Sequence, residues 1–138
     1  MEIPFGLTVR GLLKKDNKFL ILKRHLNSSS NPNRWELPGG KVDDGENFDK
    51  ALIRELKEET NLDIKIGDLV GAVQEDFPHK KTVAIIMNIE LISGEVKISK
   101  EHVDWKWVSI DELESFDISG WFKTFLNDNN KNYSYFKN

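Results

Sequence analysis

Hydrophobic and polar positions alternate along the first third of the chain in a pattern that predicts strands joined by short turns. Apolar runs over 5–14 and 18–24 flank a polar Lys-Asp-Asn turn and indicate an antiparallel hairpin. Residues 25–34 are rich in Ser, Asn and Pro, which is typical of a surface loop. Residues 35–42, WELPGGKV, predict two strand fragments around a tight turn.

The segment 48–60 has the period of an amphipathic helix. Three apolar residues recur on one side of it, where we expect them to pack on a sheet: Ala51, Leu52 and Leu56. Asn47 stands where its side chain would cap the first turn. Asn61 stands where a helix ends on a left-handed residue, a role that Asn fills second only to Gly.

The second half of the chain predicts further strands and then two short helices. The strands are expected at 64–74 (a pair or one bent strand), 82–92, 95–99 and 104–108, and the helices at 110–114 and 118–126. Ser109, with Glu112 three residues later, predicts a capping box. One helix interrupting a series of strands indicates an α/β fold, with a mixed sheet flanked by helices.

Length and composition limit the class of protein. The 138 residues fit one domain over 1–138, with 127–138 expected to be a frayed polar tail. The chain has no Cys, which excludes disulfides, thiol catalysis and cysteine zinc sites. A net charge of −3 argues against a nucleic-acid partner, but a phosphate-bearing substrate stays open because a metal ion could supply positive charge locally.

The apolar runs are short, and this bears on where the protein works. No run approaches the roughly 18 residues of a membrane span, so we expect no membrane partner. The N-terminal stretch lacks the basic start and small-residue cleavage site of a signal peptide. We therefore expect a cytoplasmic protein.

Three carboxylates of the predicted helix are the candidate chemistry. Glu55, Glu58 and Glu59 are three and four residues apart, which places them on one helical face, expected to lie opposite the apolar one. Carboxylate oxygens suit a hard cation such as Mg²⁺. Taken alone, however, a run of acidic residues on a helix is most often a solvated surface.

The spacing of these glutamates from residues upstream changes that interpretation. Gly40, Glu46 and the run Arg54-Glu55-Leu56-x-Glu58-Glu59 resemble the box of the Nudix hydrolases, G-x5-E-x7-R-E-U-x-E-E-x-G-U, where U is apolar. A chance match in a chain of this length has a probability of about 10⁻⁵. Asn61 stands where the pattern has Gly, and we consider this conservative because Asn accepts positive φ.

The resemblance extends through WELPGGKV and WKWVSIDEL, over about 5–116. It implies the Nudix α/β/α sandwich, in which a mixed β-sheet carries a catalytic loop-helix-loop. It also implies Mg²⁺-dependent hydrolysis of a nucleoside diphosphate linked to another group, with Mn²⁺ as an alternative metal.

The resemblance further implies a set of metal ligands. Glu58 and Glu59 match the principal ligands, and Glu55 matches a residue that binds metal or acts as base toward water. Gly39 matches a position whose backbone carbonyl binds metal in many members. Glu101, in a loop after a strand, is either an additional acidic ligand or an ordinary exposed glutamate.

Five other residues complete the candidate site. Glu46 and Arg54 match positions that hold the loop and helix in register, and we include them with the three glutamates in the catalytic set. Gly40 permits the tight turn beside the substrate. Arg24 either contacts substrate or is a plain charge at a strand end, and Trp35 either stacks on a base or belongs to the core.

Aromatic and histidine residues outside the box receive structural interpretations. Trp105 and Trp107 alternate in one strand, so both are expected on one side of it, packed in the core. His79 and His102 lack partners at metal-ligand spacing and are expected on the surface.

The preferred substrate is a nucleoside triphosphate, in the MutT-like branch, with oxidised and non-standard nucleotides included, giving a nucleoside monophosphate and pyrophosphate. The Phe-Pro at 77–78 before an apolar strand favours it, whereas a Pro at that distance beyond the box also occurs in ADP-ribose pyrophosphatases. Hydrolysis of ADP-ribose or another nucleoside diphosphate sugar is the alternative. A catalytically silent nucleotide sensor is the alternative of another class. The partner is a small nucleotide, and the protein is a monomer or homodimer.

Overall fold

The computed structural model of the protein describes residues 4–128, so most of the predicted tail, 129–138, lies outside the described residues. The strands are β1 (Phe5–Lys15), β2 (Lys18–Arg24), β3 (Trp35–Glu36), β4 (Gly39–Lys41), β5 (Asp63–Phe77), β6 (Lys80–Ser93) and β7 (His102–Val108). The helices are α1 (Phe48–Thr60) and α2 (Gly120–Asp128), with a 3₁₀ helix at Glu112–Ser115. Within the described part of the chain, no helix is long and apolar enough to cross a membrane.

The seven strands form a mixed sheet in the order β3-β2-β1-β6-β5, with β4 also paired to β1 and β7 to β2. β1 runs parallel to β6, and the remaining pairings are antiparallel. Along its other edge β1 changes partner: Thr8, Val9 and Arg10 pair with β4, whereas Lys14 and Lys15 pair with β2. This change of partner places Gly39 and Gly40, the Gly-Gly turn, in the middle of the sheet.

Each helix covers one face of the sheet, which confirms the α/β/α sandwich. On one face, α1 buries its apolar residues against strand residues that include Val9 and Met87. On the other face, α2 packs Trp121 and Phe122 against residues that include Leu12 and Ile86. Complete burial of one such large apolar side chain contributes about 1.5–3 kcal/mol.

Helix α1 begins and ends where the sequence predicts. Asn61 has φ 66° and ψ 14°, and its N–H donates to the carbonyl of Lys57, so the substitution of Asn for Gly preserves the left-handed end. The expected side-chain cap by Asn47 is wrong, because its side chain makes no capping hydrogen bond. Asn47 begins the helix through its backbone carbonyl, which accepts the N–H of Ala51 at 2.9 Å.

Three other predicted elements differ in detail. Residues 95–99 do not form the predicted strand. The N–H groups of Lys97 and Ser99 donate instead to the carbonyls of Thr60 and Glu59 at the end of α1. The 64–74 pattern belongs to one long strand, β5, with irregular register. The last helix starts later than predicted, since Ile118 forms a bridge with the strand residue Trp35.

The helix predicted at 110–114 is a 3₁₀ helix over Glu112–Ser115. The capping box is confirmed, with reciprocal hydrogen bonds between Ser109 and Glu112 of 3.1 and 3.2 Å. Core packing of both tryptophans of β7 is wrong for Trp105, which is 38% exposed. Trp107 packs against the α1-side core, under the ammonium of Lys15.

Candidate active site

The Gly-Gly turn, Gly39 and Gly40 at the start of β4, requires glycine twice, for two different reasons. Gly39 has φ +144°, and a Cβ there would collide with the backbone of Val9. Gly40 lies outside the positive-φ region, so of the two glycines in the predicted tight turn Gly39 alone has a positive φ. Gly40 instead makes space: a Cβ there would lie 2.5 Å from the carboxyl carbon of Glu55.

The three glutamates of α1 differ in burial. Glu59 is 4% exposed, and the side chains of Glu55 and Glu58 are 14% and 58% exposed. The expectation that they face away from the apolar residues is wrong for Glu55 and Glu59. Ala51, which is buried, Glu55 and Glu59 follow one another at four-residue spacing and so lie on the same side of α1. Because that side packs on the sheet, the carboxylates of Glu55 and Glu59 lie against the sheet.

Nearby positive charge offsets the buried carboxylates only in part. Burial raises the pKa of Glu59 well above its usual range; Arg10 opposes this, and the charges of Glu36 and Glu55 add to it. The Gly39 N–H donates to Oε1 of Glu59 at 2.9 Å. Burial also raises the pKa of Glu55, despite the nearby guanidinium of Arg54. Like-charged groups held together in this way favour a cation between them.

Glu101 lies beside this cluster, although it is far away in sequence. It occupies the exposed turn before β7, and Glu59, Glu101 and His102 each offer a ligand atom within 4.8 Å of the others. The site therefore brings together carboxylates from α1 and from the β7 turn.

Arg54 ties the loop before α1 to the helix. Its guanidinium donates to both carboxylate oxygens of Glu46, at 2.8 and 2.9 Å, and to the carbonyl of Lys41 at 3.2 Å. It also donates to Glu55 at 3.1 Å and to Glu58 at 3.3 Å. The hydrogen bonds from Arg54 lower the pKa of Glu46 to about 2.

The prediction of His102 as a surface residue is wrong. It is 3% exposed, and its Nε2 lies 3.1 Å from Oε2 of Glu36, which is itself 1% exposed. The same oxygen lies 3.0 Å from Arg24 and 3.4 Å from Arg10. Burial alone would raise the pKa of Glu36, but Arg10, His102 and Arg24 together lower it to about 2.

Glu36 and Arg10 are site residues that sequence reasoning missed. The signal for them was available: both are charges inside otherwise apolar strand patterns, and a buried charge must be paired. Arg10 connects Glu36 to the Gly-Gly turn, because its guanidinium also donates to the carbonyls of Leu37 and Gly39 at 3.3 and 3.4 Å. The Gly39 carbonyl predicted as a metal ligand thus has a cation beside it.

The remaining two predicted substrate residues have different positions. The Arg24 guanidinium is held by Ser30 and Ser28, at 2.8 and 3.0 Å, and lines a polar pocket on the α2 face of the sheet. Trp35 is 7% exposed and meets Phe116 edge to face at 5.2 Å. Of the two interpretations of Trp35 the structure supports the core, because the ring has no free face for a base.

The polar pocket lies next to the carboxylate cluster. Its lining includes Glu75, Phe77 and Lys80 from the β5–β6 hairpin, and Asn31 from the loop before β3. Arg10 and Glu36 also line it. Arg10 donates to the carbonyl of Gly39, and Glu36 accepts a hydrogen bond from His102 beside Glu101. Arg10 and Glu36 therefore connect the pocket to the carboxylate cluster.

Comparison with known proteins supports the family resemblance that the sequence motif indicates. The sequence model of the NUDIX domain matches residues 4–128. The ADP-ribose pyrophosphatase of Methanocaldococcus jannaschii is 32% identical over 112 residues, which are 78% of this chain and 64% of that protein, just under two thirds of its length. The nucleoside triphosphatase NudI of Escherichia coli O17:K52:H18 is 29% identical over 119 residues, covering 78% of this chain and 84% of NudI.

A solved structure is also similar over nearly the whole chain. The crystal structure of a MutT protein from Methanosarcina mazei Go1 superposes with a TM-score of 0.84 and 33% identity. The match covers 93% of this chain and 94% of that protein. The sequence comparison and the structural comparison therefore indicate the same family.

Proposed function

This chain belongs to the Nudix hydrolase family, and we propose that it is a divalent-metal-dependent pyrophosphohydrolase of nucleoside triphosphates. It would cleave a diphosphate bond and release a nucleoside monophosphate and pyrophosphate. The observation that carries the proposal is the buried Glu59, held beside Glu55 and Glu101 with too little positive charge and next to a polar pocket.

The chemistry of the donor set fits a hard divalent cation. The groups that we propose as ligands are oxygen donors: the carboxylates of Glu55, Glu58, Glu59 and Glu101 and the carbonyl of Gly39. His102, the nitrogen donor within 4.8 Å of Glu59 and Glu101, is hydrogen-bonded to Glu36 instead. Mg²⁺ suits such a set, and Mn²⁺ accepts the same donors. The raised pKa values of Glu55 and Glu59 support the assignment, since a cation would stabilise their ionised forms. When bound, the metal ion would neutralise phosphate oxygens and lower the pKa of a bound water.

Glu55 has the environment of a general base. It is mostly buried, burial raises its pKa, and Arg54 and the space at Gly40 fix its position. It would accept a proton from the attacking water. The water oxygen bonds to one phosphorus, the bridging P–O bond breaks, and its electron pair leaves with the departing phosphate group. Glu101 is the alternative base.

The polar pocket supplies groups suited to a nucleoside. The carboxyl group of Glu75 is half-buried; its pKa is raised by burial, against a hydrogen bond from Asn31. Asn31 in turn accepts the N–H of Gly120 at 3.1 Å, which fixes its amide. Lys80 lies over the ring of Phe77 at 5.3 Å. An amide and a carboxyl group beside an aromatic ring can read the edge of a base, and Lys80 can meet a phosphate.

Of the two alternative functions, one has specific support. The similarity to an enzyme named as an ADP-ribose pyrophosphatase favours a nucleoside diphosphate sugar as substrate. A sensor that binds nucleotides without hydrolysis needs the pocket but not the carboxylates. The complete set of carboxylates argues against the sensor.

A substrate panel tests the proposal. The full chain is assayed with Mg²⁺ or Mn²⁺ against nucleoside triphosphates, ADP-ribose, nucleoside diphosphate sugars and dinucleoside polyphosphates, with Glu59→Gln as the inactive control. We expect the highest kcat/KM for a triphosphate, with pyrophosphate as product. A higher value for ADP-ribose would replace the triphosphate by the sugar nucleotide, and tight nucleotide binding without any turnover would favour the sensor.

A further inference from the structure

Four side chains from four strands meet at one buried oxygen. Oε2 of Glu36 on β3 lies within 3.4 Å of Arg10 on β1, Arg24 on β2 and His102 on β7. All but Arg24 are almost fully buried. Arg10 and Arg24 already neutralise Glu36, so His102 is not needed to balance its charge. The position of His102, next to Glu101, points to another role.

We propose that Glu36 and His102 are positioning residues of the metal site, and that the hydrogen bond between them fixes the first residue of β7 so that Glu101 is held against Glu59. This rests on the proposed function, because Glu101 matters only if the carboxylate cluster binds a metal ion.

The restraints on Glu101 itself are weak. Its side chain is exposed, its N–H reaches Ser99 Oγ at 3.4 Å, and its carbonyl accepts the N–H of His25 at 3.1 Å. The pairing of β2 with β7 is irregular at this point, where His102 is opposite Arg24. The buried imidazole next to Glu101 is therefore the group best placed to hold this turn.

The hydrogen bond fixes the imidazole in one orientation. Glu36 is a carboxylate, which only accepts, so Nε2 of His102 carries a hydrogen and donates it. Nδ1 of His102 is buried and has no hydrogen-bond partner among the described residues. A ring nitrogen lies within 4.8 Å of the carboxylates of Glu59 and Glu101. Groups placed in this way behind metal ligands typically change metal affinity by about 10–100-fold when removed.

Metal affinity measured without substrate, together with thermal unfolding, separates an effect of His102 on the metal site from an effect on the stability of the fold. Mn²⁺ is titrated into the metal-free full chain by calorimetry, and thermal unfolding is recorded for each variant. His102→Leu removes the donor, His102→Gln keeps an amide N–H at a similar reach, and Val103→Ala is the control on the next residue, which is 49% exposed. We expect about tenfold weaker Mn²⁺ binding for His102→Leu, near-normal binding for His102→Gln, and no change for the control.

A double-mutant cycle tests whether His102 acts through Glu101. In a Glu101→Gln background, His102→Leu should weaken Mn²⁺ binding no further. If His102→Leu does not fold, His102→Asn replaces it, since its shorter amide does not reach Glu36.

The outcomes distinguish the two levels of the proposal. Mn²⁺ binding that is absent, or unchanged in Glu59→Gln, would overturn the metal site itself, and the positioning role with it. Normal binding that Glu59→Gln weakens, but that neither His102→Leu nor His102→Asn alters, would overturn the positioning role alone. Additive losses in the cycle would overturn it as well, because His102 would then act independently of Glu101.

Discussion

Gly40 and Glu55 are so close that a Cβ on Gly40 would lie 2.5 Å from the carboxyl carbon of Glu55 and 2.6 Å from Oε2. The first glycine of the Nudix box and the first glutamate of its helix are therefore in contact across the site. The glycine provides the space into which the carboxylate extends. The colliding atoms are the end of a flexible side chain, so an added methyl group would displace Glu55 more than it would strain the backbone.

Gly40→Ala should therefore reduce activity far more than stability. We expect kcat to fall about 100-fold, since a displacement of about 1 Å in a reacting group can cost that much. The unfolding temperature should change little. Gly6→Ala is the matched control on β1, because its Cβ would meet Thr82 at an ordinary 3.8 Å. Steady-state kinetics and thermal unfolding check both variants, and equal losses of activity and stability in Gly40→Ala would contradict the explanation.

Glu59→Gln should have opposite effects on stability and activity. The pKa of Glu59 is raised by burial, so its stabilising contribution is complete below the unfolded value of about 4.5 and is lost as pH rises through the folded value. In metal-free protein at pH 7–8, the neutral amide should therefore be more stable than the carboxylate. A gain of about 1 kcal/mol would raise the unfolding temperature by about 4 °C.

The same variant should lose the response to metal. Wild-type protein is expected to unfold at higher temperature with Mg²⁺ or Mn²⁺ present, whereas Glu59→Gln should not, and its kcat should fall by orders of magnitude. Thermal unfolding with and without metal, at pH 5 and pH 8, checks both statements. A variant less stable than wild type in metal-free buffer at pH 8 would show that Glu59 is not strained by its burial.

The sequence was sufficient to predict what depends on local spacing. The bounds of α1 and the placement of Glu55 and Glu59 on one side of it follow from a helical repeat, and the left-handed Asn61 follows from its residue type. The burial of His102 did not follow, because it depends on the pairing of β7 with β2 and of β2 with β3. These pairings join distant parts of the chain, and the pattern of a single strand does not specify its neighbours.

Acid should destabilise the protein through Glu36. Its pKa is lowered to about 2 by its cationic partners, against the effect of burial, so its stabilising contribution is complete above the unfolded value of about 4.5. That contribution should be lost as the pH falls from about 4.5 to about 2. Urea unfolding at several pH values measures the loss, which should be smaller in Glu36→Gln. An equal loss in the variant would assign the acid sensitivity to other carboxylates.

Substitution of Arg54 tests whether the site requires the shape of the guanidinium or only its positive charge. Its guanidinium meets both oxygens of Glu46 and still reaches Glu55, a fork that a lysine ammonium lacks. Arg54→Lys should therefore lower kcat by about 10–100-fold through misplacement of Glu55. Stability should change by less than about 1 kcal/mol, because the Arg54 side chain is 31% exposed and such ion pairs are weak.

Lys57→Ala is the control for Arg54, since Lys57 lies on the same helix and pairs only at the surface, with Asp63 at 3.4 Å. It should keep wild-type kinetics. Steady-state assays of Arg54→Lys, Arg54→Ala and Lys57→Ala provide the comparison. Full activity in Arg54→Lys with loss in Arg54→Ala would mean that positive charge alone suffices, because Lys retains the charge but not the two-point contact with Glu46.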